Sequence, residues 1–302
     1  MAITLVNTNH ANTGSTATNT LTITGLSPTT GNVLVVIATS ETNSSFNSLG
    51  SGVTIVDNTI FQDAYWASSL AVGYLVVPGS PPSSITITSS SSATALIGAV
   101  LEFSGVNTAS VIDKHTAPVW DTTTPPSAST VTVAAMTPTQ ANDCYLMYAQ
   151  GAGNAGGSEA AAITAGITFT TGSDSDPSAP VGGAYHLFWA SGDYTGSAAQ
   201  TGTYTKNSSS NAAGAGGLLL NPANTSLGDK LSQEVAEVLY IAGASSGGDR
   251  LSQEVAEVLF VQGASVSGDR ISQVVAEVLY VTGPGGWTCQ DYTAGECTNC
   301  PP

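Results

Sequence analysis

The chain has 302 residues, only 9% of them charged, and 5 Lys and Arg against 21 Asp and Glu leave a net charge of −16. So acidic a chain lacks the clustered Lys and Arg that phosphate neutralisation needs, which excludes nucleic acid as an expected partner, and it offers little to anionic lipid. It has no run of 18 apolar residues, so no membrane insertion is expected, and Met1–His10 lacks the basic and apolar regions of a secretory leader.

A surface so poor in charge must be solvated by Ser, Thr, Asn and Gly, which suits an extracellular or particle-surface setting. An exterior surface without an export signal fits a virus particle released by lysis, so the expected location is the virion surface.

From Met1 to about Pro222, short runs rich in Val, Ile, Thr and Tyr are separated by Gly, Pro, Asn and Ser. They are Ile3–Asn7, Thr20–Gly25, Asn32–Ser40, Gly52–Val56, Leu70–Val77, Ser84–Thr88, Ala93–Phe103, Thr130–Met136, Cys144–Ala149, Gly166–Thr170, Gly183–Ser191 and Gly202–Thr205. The pattern predicts an all-β fold, an antiparallel β-sandwich of jelly-roll or Ig-like kind with few helices.

The region is internally duplicated. Ser84–Phe103 aligns without a gap on Thr201–Leu220; Asn32–Ser40 matches Asn142–Gln150, Gly52–Val56 matches Gly166–Thr170, and Ala71–Ser80 matches Gly183–Gly192. This gives two β-sandwich halves, residues 1–105 and 106–222, as separate units or as one large sandwich. The join is expected within Ser104–Ser129, where Pro118, Pro125 and Pro126 break strands. Gly98, Ala99, Gly214, Gly216 and Gly217 inside apolar runs suit close approach of sheets or subunits. Trp66, Trp120, Trp189 and Trp287 are either core filler or platforms for stacking sugars.

Residues 223–283 write a 20-residue unit three times: GDKLSQEVAEVLYIAGASSG from Gly228, GDRLSQEVAEVLFVQGASVS from Gly248 and GDRISQVVAEVLYVTG from Gly268. One such unit cannot bury an apolar face alone and must stack on its neighbours or on other copies. As a strand, Ser232, Glu234, Ala236, Val238 and Tyr240 face one way. As a helix, Leu231, Val235, Val238 and Leu239 form one stripe, with Asp229 as N-cap. The Val-rich third copy favours strand. The expectation is a short repetitive β stalk whose strands pair with those of neighbouring chains or pack on the sandwich; helical repeats are the alternative. The assembly candidates are Asp229, Lys230, Gln233 and Glu237, then Asp249, Arg250, Gln253 and Glu257, then Asp269, Arg270, Gln273 and Glu277. Their charges either form ion pairs that set register or are solvated turn charges.

Candidates for chemistry are few. The chain has no GxSxG elbow and no HExxH, and no His–acid or acid–acid pair stands out, so neither enzymatic activity nor a cofactor is expected. The histidines are His10, His115 and His186; Asp113-Lys114-His115 reads as an exposed turn. Asp174 and Asp176, within Gly172–Ser178, have the spacing of calcium ligands but read as a solvated loop, so no metal is assigned. Cys144 reads as a buried, inert thiol. In the tail, residues 284–302, Cys289, Cys297 and Cys300 are one ligand short of a closed zinc site; a disulfide with one cysteine over, cross-links between copies, and a metal all remain open. Asn43, Asn207 and Asn224 head glycosylation sequons that so Ser- and Thr-rich a chain produces by chance.

The tandem units resemble an R-[VIL]-[ST]-Q-x-x-x-E-V-L motif that recurs in structural proteins of tailed bacteriophages. Arg250, Leu251, Ser252, Gln253, Glu257, Val258 and Leu259 carry the likeness with their counterparts one period either side; Lys230 replaces the Arg in the first copy. The segment Ala99–Val106, AVLEFSGV, is similar to β-sandwich modules of the same class of proteins. The resemblance implies a virion component without enzymatic activity. The resulting expectation is a structural protein of a bacteriophage surface: a tail fibre, a spike or a capsid decoration. It would be a homo-oligomer through its repeats, with a trimer preferred. It would touch other virion proteins and attach to a host glycan through Thr, Asn and aromatic side chains on loops. The alternatives are a secreted, self-assembling bacterial adhesin or sheath-filament subunit, and a carbohydrate-binding or carbohydrate-active module.

Overall fold

The structure, a computed structural model, describes residues 2–14, 16–62, 67–93, 95–121, 130–153, 160–176, 184–205, 213–223, 238–242, 250–255, 258–262, 270–275, 278–282, 292–293 and 296–297. It is all-β, and none of the described residues is helical. The chain divides into two compact units, Met1–Ala223 and Asn224–Pro302.

The first unit begins with β1 (Thr4–Asn12), β2 (Thr18–Thr24), β3 (Val33–Ser40), β4 (Phe46–Ser48), β5 (Thr54–Gln62), β6 (Ala67–Val76), β7 (Ser84–Ala93) and β8 (Leu96–Ser104). It continues with β9 (Ile112–Trp120), β10 (Thr130–Met136), β11 (Asp143–Gly153), β12 (Ala160–Ile163), β13 (Thr170–Asp176), β14 (Ala184–Tyr194), β15 (Gln200–Thr205) and β16 (Ala213–Leu220). The first eight strands make sheets ordered β1-β8-β3-β6-β5 and β2-β7-β4; the second eight repeat both orders as β9-β16-β11-β14-β13 and β10-β15-β12.

The four sheets form four layers. The two five-stranded sheets face each other, and Val35, Ile37, Leu101 and Phe103 from one share a core with Leu146, Tyr148, Leu187 and Trp189 from the other. Their outer faces are covered by the three-stranded sheets: Leu21, Ile23 and Ile87 pack on Leu34 and Val36 in one half, and Val131, Val133 and Tyr204 pack on Tyr145 and Met147 in the other. A strand covered on both faces needs apolar residues at every position, which is why β3 and β16 are buried throughout. Complete burial of each Val or Leu contributes about 1.5–3 kcal/mol.

The facing sheets are related by an approximate two-fold: β1 lies against β13 at one seam, and the equivalent strands β9 and β5 meet at the other. The ladders fix the residue correspondence. Val33 pairs with Phe103 and Val76, whereas Cys144 pairs with Leu220 and Asp193. Val33 therefore corresponds to Cys144, and Val76 to Asp193. Two of the alignments read from sequence are thereby corrected. Asn32–Ser40 is displaced by one residue against Asn142–Gln150, and Ala71–Ser80 by five against Gly183–Gly192. Backbone conformation agrees, for Asn142 (φ 69°) takes the place of Gly31 (φ 85°) rather than of Asn32. Both occupy the left-handed region before a central strand, where Gly and Asn are the residues tolerated.

Two further expectations change. Pro118 does not end a strand: it lies in β9, an edge strand, where the ladder shifts between Ala215 and Gly217. Asp113, Lys114 and His115 are in that same strand and not in a turn. Pro125 and Pro126 lie outside the described residues.

In the second unit, β17 (Val238–Ala242), β19 (Val258–Gln262) and β21 (Val278–Thr282) form one parallel sheet, and β18 (Arg250–Val255) and β20 (Arg270–Val275) another. Every partner lies one period away: Leu239 beside Leu259 beside Leu279, and Gln253 beside Gln273. The repeats are thus strands, as their third copy favoured, but their partners are repeats of the same chain. Nor are the second and third units single alternating strands: Arg250–Val255 and Val258–Gln262, like Arg270–Val275 and Val278–Thr282, belong to two different sheets. The short pair β22 (Tyr292–Thr293) and β23 (Glu296–Cys297) follows.

Candidate functional site

The space between the two five-stranded sheets holds most of the buried polar side chains that cross from one half to the other. The Tyr148 hydroxyl donates to Asp57 Oδ2 at 2.9 Å, and the His115 Nδ1 lies 3.2 Å from the same oxygen. At the opposite seam, His10 Nδ1 is 3.0 Å from Asp174 Oδ2, and Asn12 Nδ2 donates to Asp174 Oδ1 at 3.1 Å. Each seam therefore carries one His–Asp bridge between edge strands. Nearer one end, the Tyr185 hydroxyl donates to the Ser40 carbonyl at 2.9 Å and touches Ser68, whose hydroxyl donates to Gln150 Oε1 at 2.9 Å. Burial, reinforced by the Asp57 charge, pushes the Tyr148 phenol well above its ordinary pKa. These phenols stay neutral and act as fixed donors that orient one half on the other.

A second polar cluster lies where β9 meets the β10–β11 turn. Asp143 is fully buried and its carboxyl faces that of Asp113. Burial, then the neighbouring Asp113 carboxyl and its charge, push Asp143 up to about 8. Burial opposes ionisation of Asp113 too, but hydrogen bonds from the Thr139 hydroxyl and amide, with Lys114 nearby, hold it below its usual value. The Asp143 carboxyl oxygens are buried without a hydrogen-bond partner among the described residues, so the arrangement favours a protonated Asp143 beside an ionised Asp113.

A recess of about 440 Å³ opens at the seam of β1 and β13, lined by Ile3, Thr4, Leu5, Cys144, Thr168, Thr170, Ser191, Gly192 and Asp193. Cys144 is a free thiol on its floor; burial first, then the Asp193 charge, drives its pKa far up, so it is not a nucleophile. Burial also raises the Asp193 carboxyl.

The residues singled out from sequence are dispersed. His186 is buried on β14, opposite Ser175 of β13, and takes no part in the two His–Asp bridges. Asp174 lies in strand β13 rather than in a loop, and no group of three or more metal-ligating side chains occurs among the described residues. Trp189 is core, 3% exposed, and Trp120 stacks on Phe61 at 5.1 Å; neither is a free platform. Trp66 and Trp287 lie outside the described residues. Of the assembly candidates, Arg250, Gln253, Arg270 and Gln273 lie in the parallel ladder and Cys297 in the β22–β23 pair. The other assembly residues, together with Cys289 and Cys300, lie outside the described residues. The sequence reading missed Asp57, Tyr148, Tyr185 and Gln150, whose partners are 58 to 145 residues away along the chain.

In comparisons with known proteins, no family model, no curated protein and no solved structure matches this chain.

Proposed function

We propose that this chain is a non-catalytic structural protein of a bacteriophage particle surface, a fibre, spike or decoration subunit, whose copies associate through the C-terminal repeats. The observation that carries the reading is the parallel ladder in which each strand pairs with its own repeat one period on. Among the described residues, β17 and β21 each have a hydrogen-bonded neighbour on one side only. Such open edges pair with further strands, and an identical sequence on another copy supplies the matching register. The scarcity of charge and the likeness of the repeats to tailed-phage structural proteins support the same reading.

The test is the mass of two chains in solution by sedimentation. The cut is placed after Ala223, whose amide donates to the Gly105 carbonyl at 2.7 Å and closes the first unit. The full chain is expected to be oligomeric and residues 1–223 monomeric. A full chain that sediments as a monomer would overturn the reading.

A further inference from the structure

The duplication makes each half a control for the other. Along the inward face of β14 the side chains run Tyr185, Leu187, Trp189, Ser191 and Asp193. The corresponding positions of β6 are Ser68, Leu70, Val72, Tyr74 and Val76, as the ladders place them. At the β5–β9 seam, Tyr74 and Val76 pack with Val56 and Ile112 against the inter-sheet core and close it. At the equivalent β1–β13 seam, Ser191 and Asp193 stand in their places opposite Thr168 and Thr170, and the core ends in the recess. Two seams of the same construction thus differ at the positions that decide whether the space is filled with apolar side chains or opens to water.

We propose that this recess is a binding site for a neutral, polyhydroxylated ligand: one or two sugar residues of a glycan. Its described lining holds no Lys, Arg or His, which disfavours an anion, and its single acid is too few ligands to hold a metal. Thr4, Thr168, Thr170 and Ser191 offer hydroxyls that both donate and accept, matching the hydroxyls of a sugar. The Asp193 carboxylate accepts from two vicinal hydroxyls at once, and a charged acceptor gives the stronger bonds. Ile3 and Leu5 form an apolar flank for the C–H face of a ring. The volume falls within the roughly 300–1,000 Å³ of small-ligand pockets. This deepens the host-glycan attachment expected of a particle-surface protein, placing it at the β1–β13 seam rather than on loops, and it does not depend on assembly through the repeats.

The test is calorimetric titration of the full chain with maltose, cellobiose and N,N′-diacetylchitobiose. At least one is expected to bind saturably. Thr170→Trp, at an exposed position on the edge strand, fills the recess and is expected to abolish the binding. Thr54→Trp, at the corresponding position of the closed seam, should leave it unchanged, and Asp193→Asn should weaken it roughly tenfold. Binding of none of the three, or binding that survives Thr170→Trp and Asp193→Asn, would overturn the proposal. Sedimentation of the same samples separates the two readings: a monomer that binds sugar sinks assembly alone, and an oligomer that binds none sinks the recess alone.

Discussion

Trp189→Ala is expected to destabilise the first unit by about 3–5 kcal/mol, the range for truncating a large buried aromatic. The ring lies on the inward face of β14, in the core shared by both halves. It fits because its neighbour on β13 is Gly172: a Cβ there would come within 2.5 Å of the indole. His10, from the first half, packs on the ring at 5.8 Å between centroids. Truncation therefore opens a void that rigid sheets on either side cannot collapse into. Urea unfolding would read the effect as a lower midpoint with an unchanged slope, and fluorescence and far-UV circular dichroism would still report one transition, since the lost contacts join the halves. A mutant in which the second half unfolds separately would show that this core does not couple them. Gly172→Ala supplies a second check, destabilising by displacing the same ring.

Asp143→Asn is expected to stabilise the protein at pH 9 by about 1–3 kcal/mol, the cost of a buried, uncompensated polar group, and to change little at pH 4. The sign follows from the direction of the shift. The Asp143 pKa is raised from 3.8 to about 8 in the folded state. Its favourable contribution is complete below about 4 and is lost as pH rises through about 8, where two carboxylates come to face each other. Asp113 shifts the other way, so its contribution is lost only toward acid and does not mask this window. Asn at position 143 carries no charge at any pH. Urea titrations of both proteins from pH 4 to 9 measure the difference; parallel profiles would show that Asp143 does not titrate in this window.

The strands were legible because Val, Ile, Thr and Tyr cluster between turn residues, and the duplication because β7–β8 and β15–β16 align without a gap. The layering was less legible. Segments such as VLVVIATS and AGAGGLLL are apolar at every position, the mark of a sheet covered on both faces, but a single sandwich absorbs one such run without strain. The polar bridges were not legible at all, because His10 and Asp174 come together only when two sheets stack. The recess could have been found by comparing halves, with the right register. Matching Asn32 to Asn142 by identity slips one residue and exchanges faces. Matching Ala71–Ser80 to Gly183–Gly192 puts Tyr74 against His186, which hides the exchange of Tyr74 and Val76 for Ser191 and Asp193. Side-chain identity misled where backbone conformation, Gly31 against Asn142, did not.

The repeats carry a consequence for how this protein changes over generations. Each described repeat strand hydrogen-bonds to its counterpart one period away, so insertion or deletion of a whole unit leaves every remaining register intact. Unequal recombination between the near-identical gene segments would then lengthen or shorten the array in steps of about 4.8 Å, one strand spacing at a time. The array behaves as a ruler whose graduations are added or lost without redesigning the domain that precedes it.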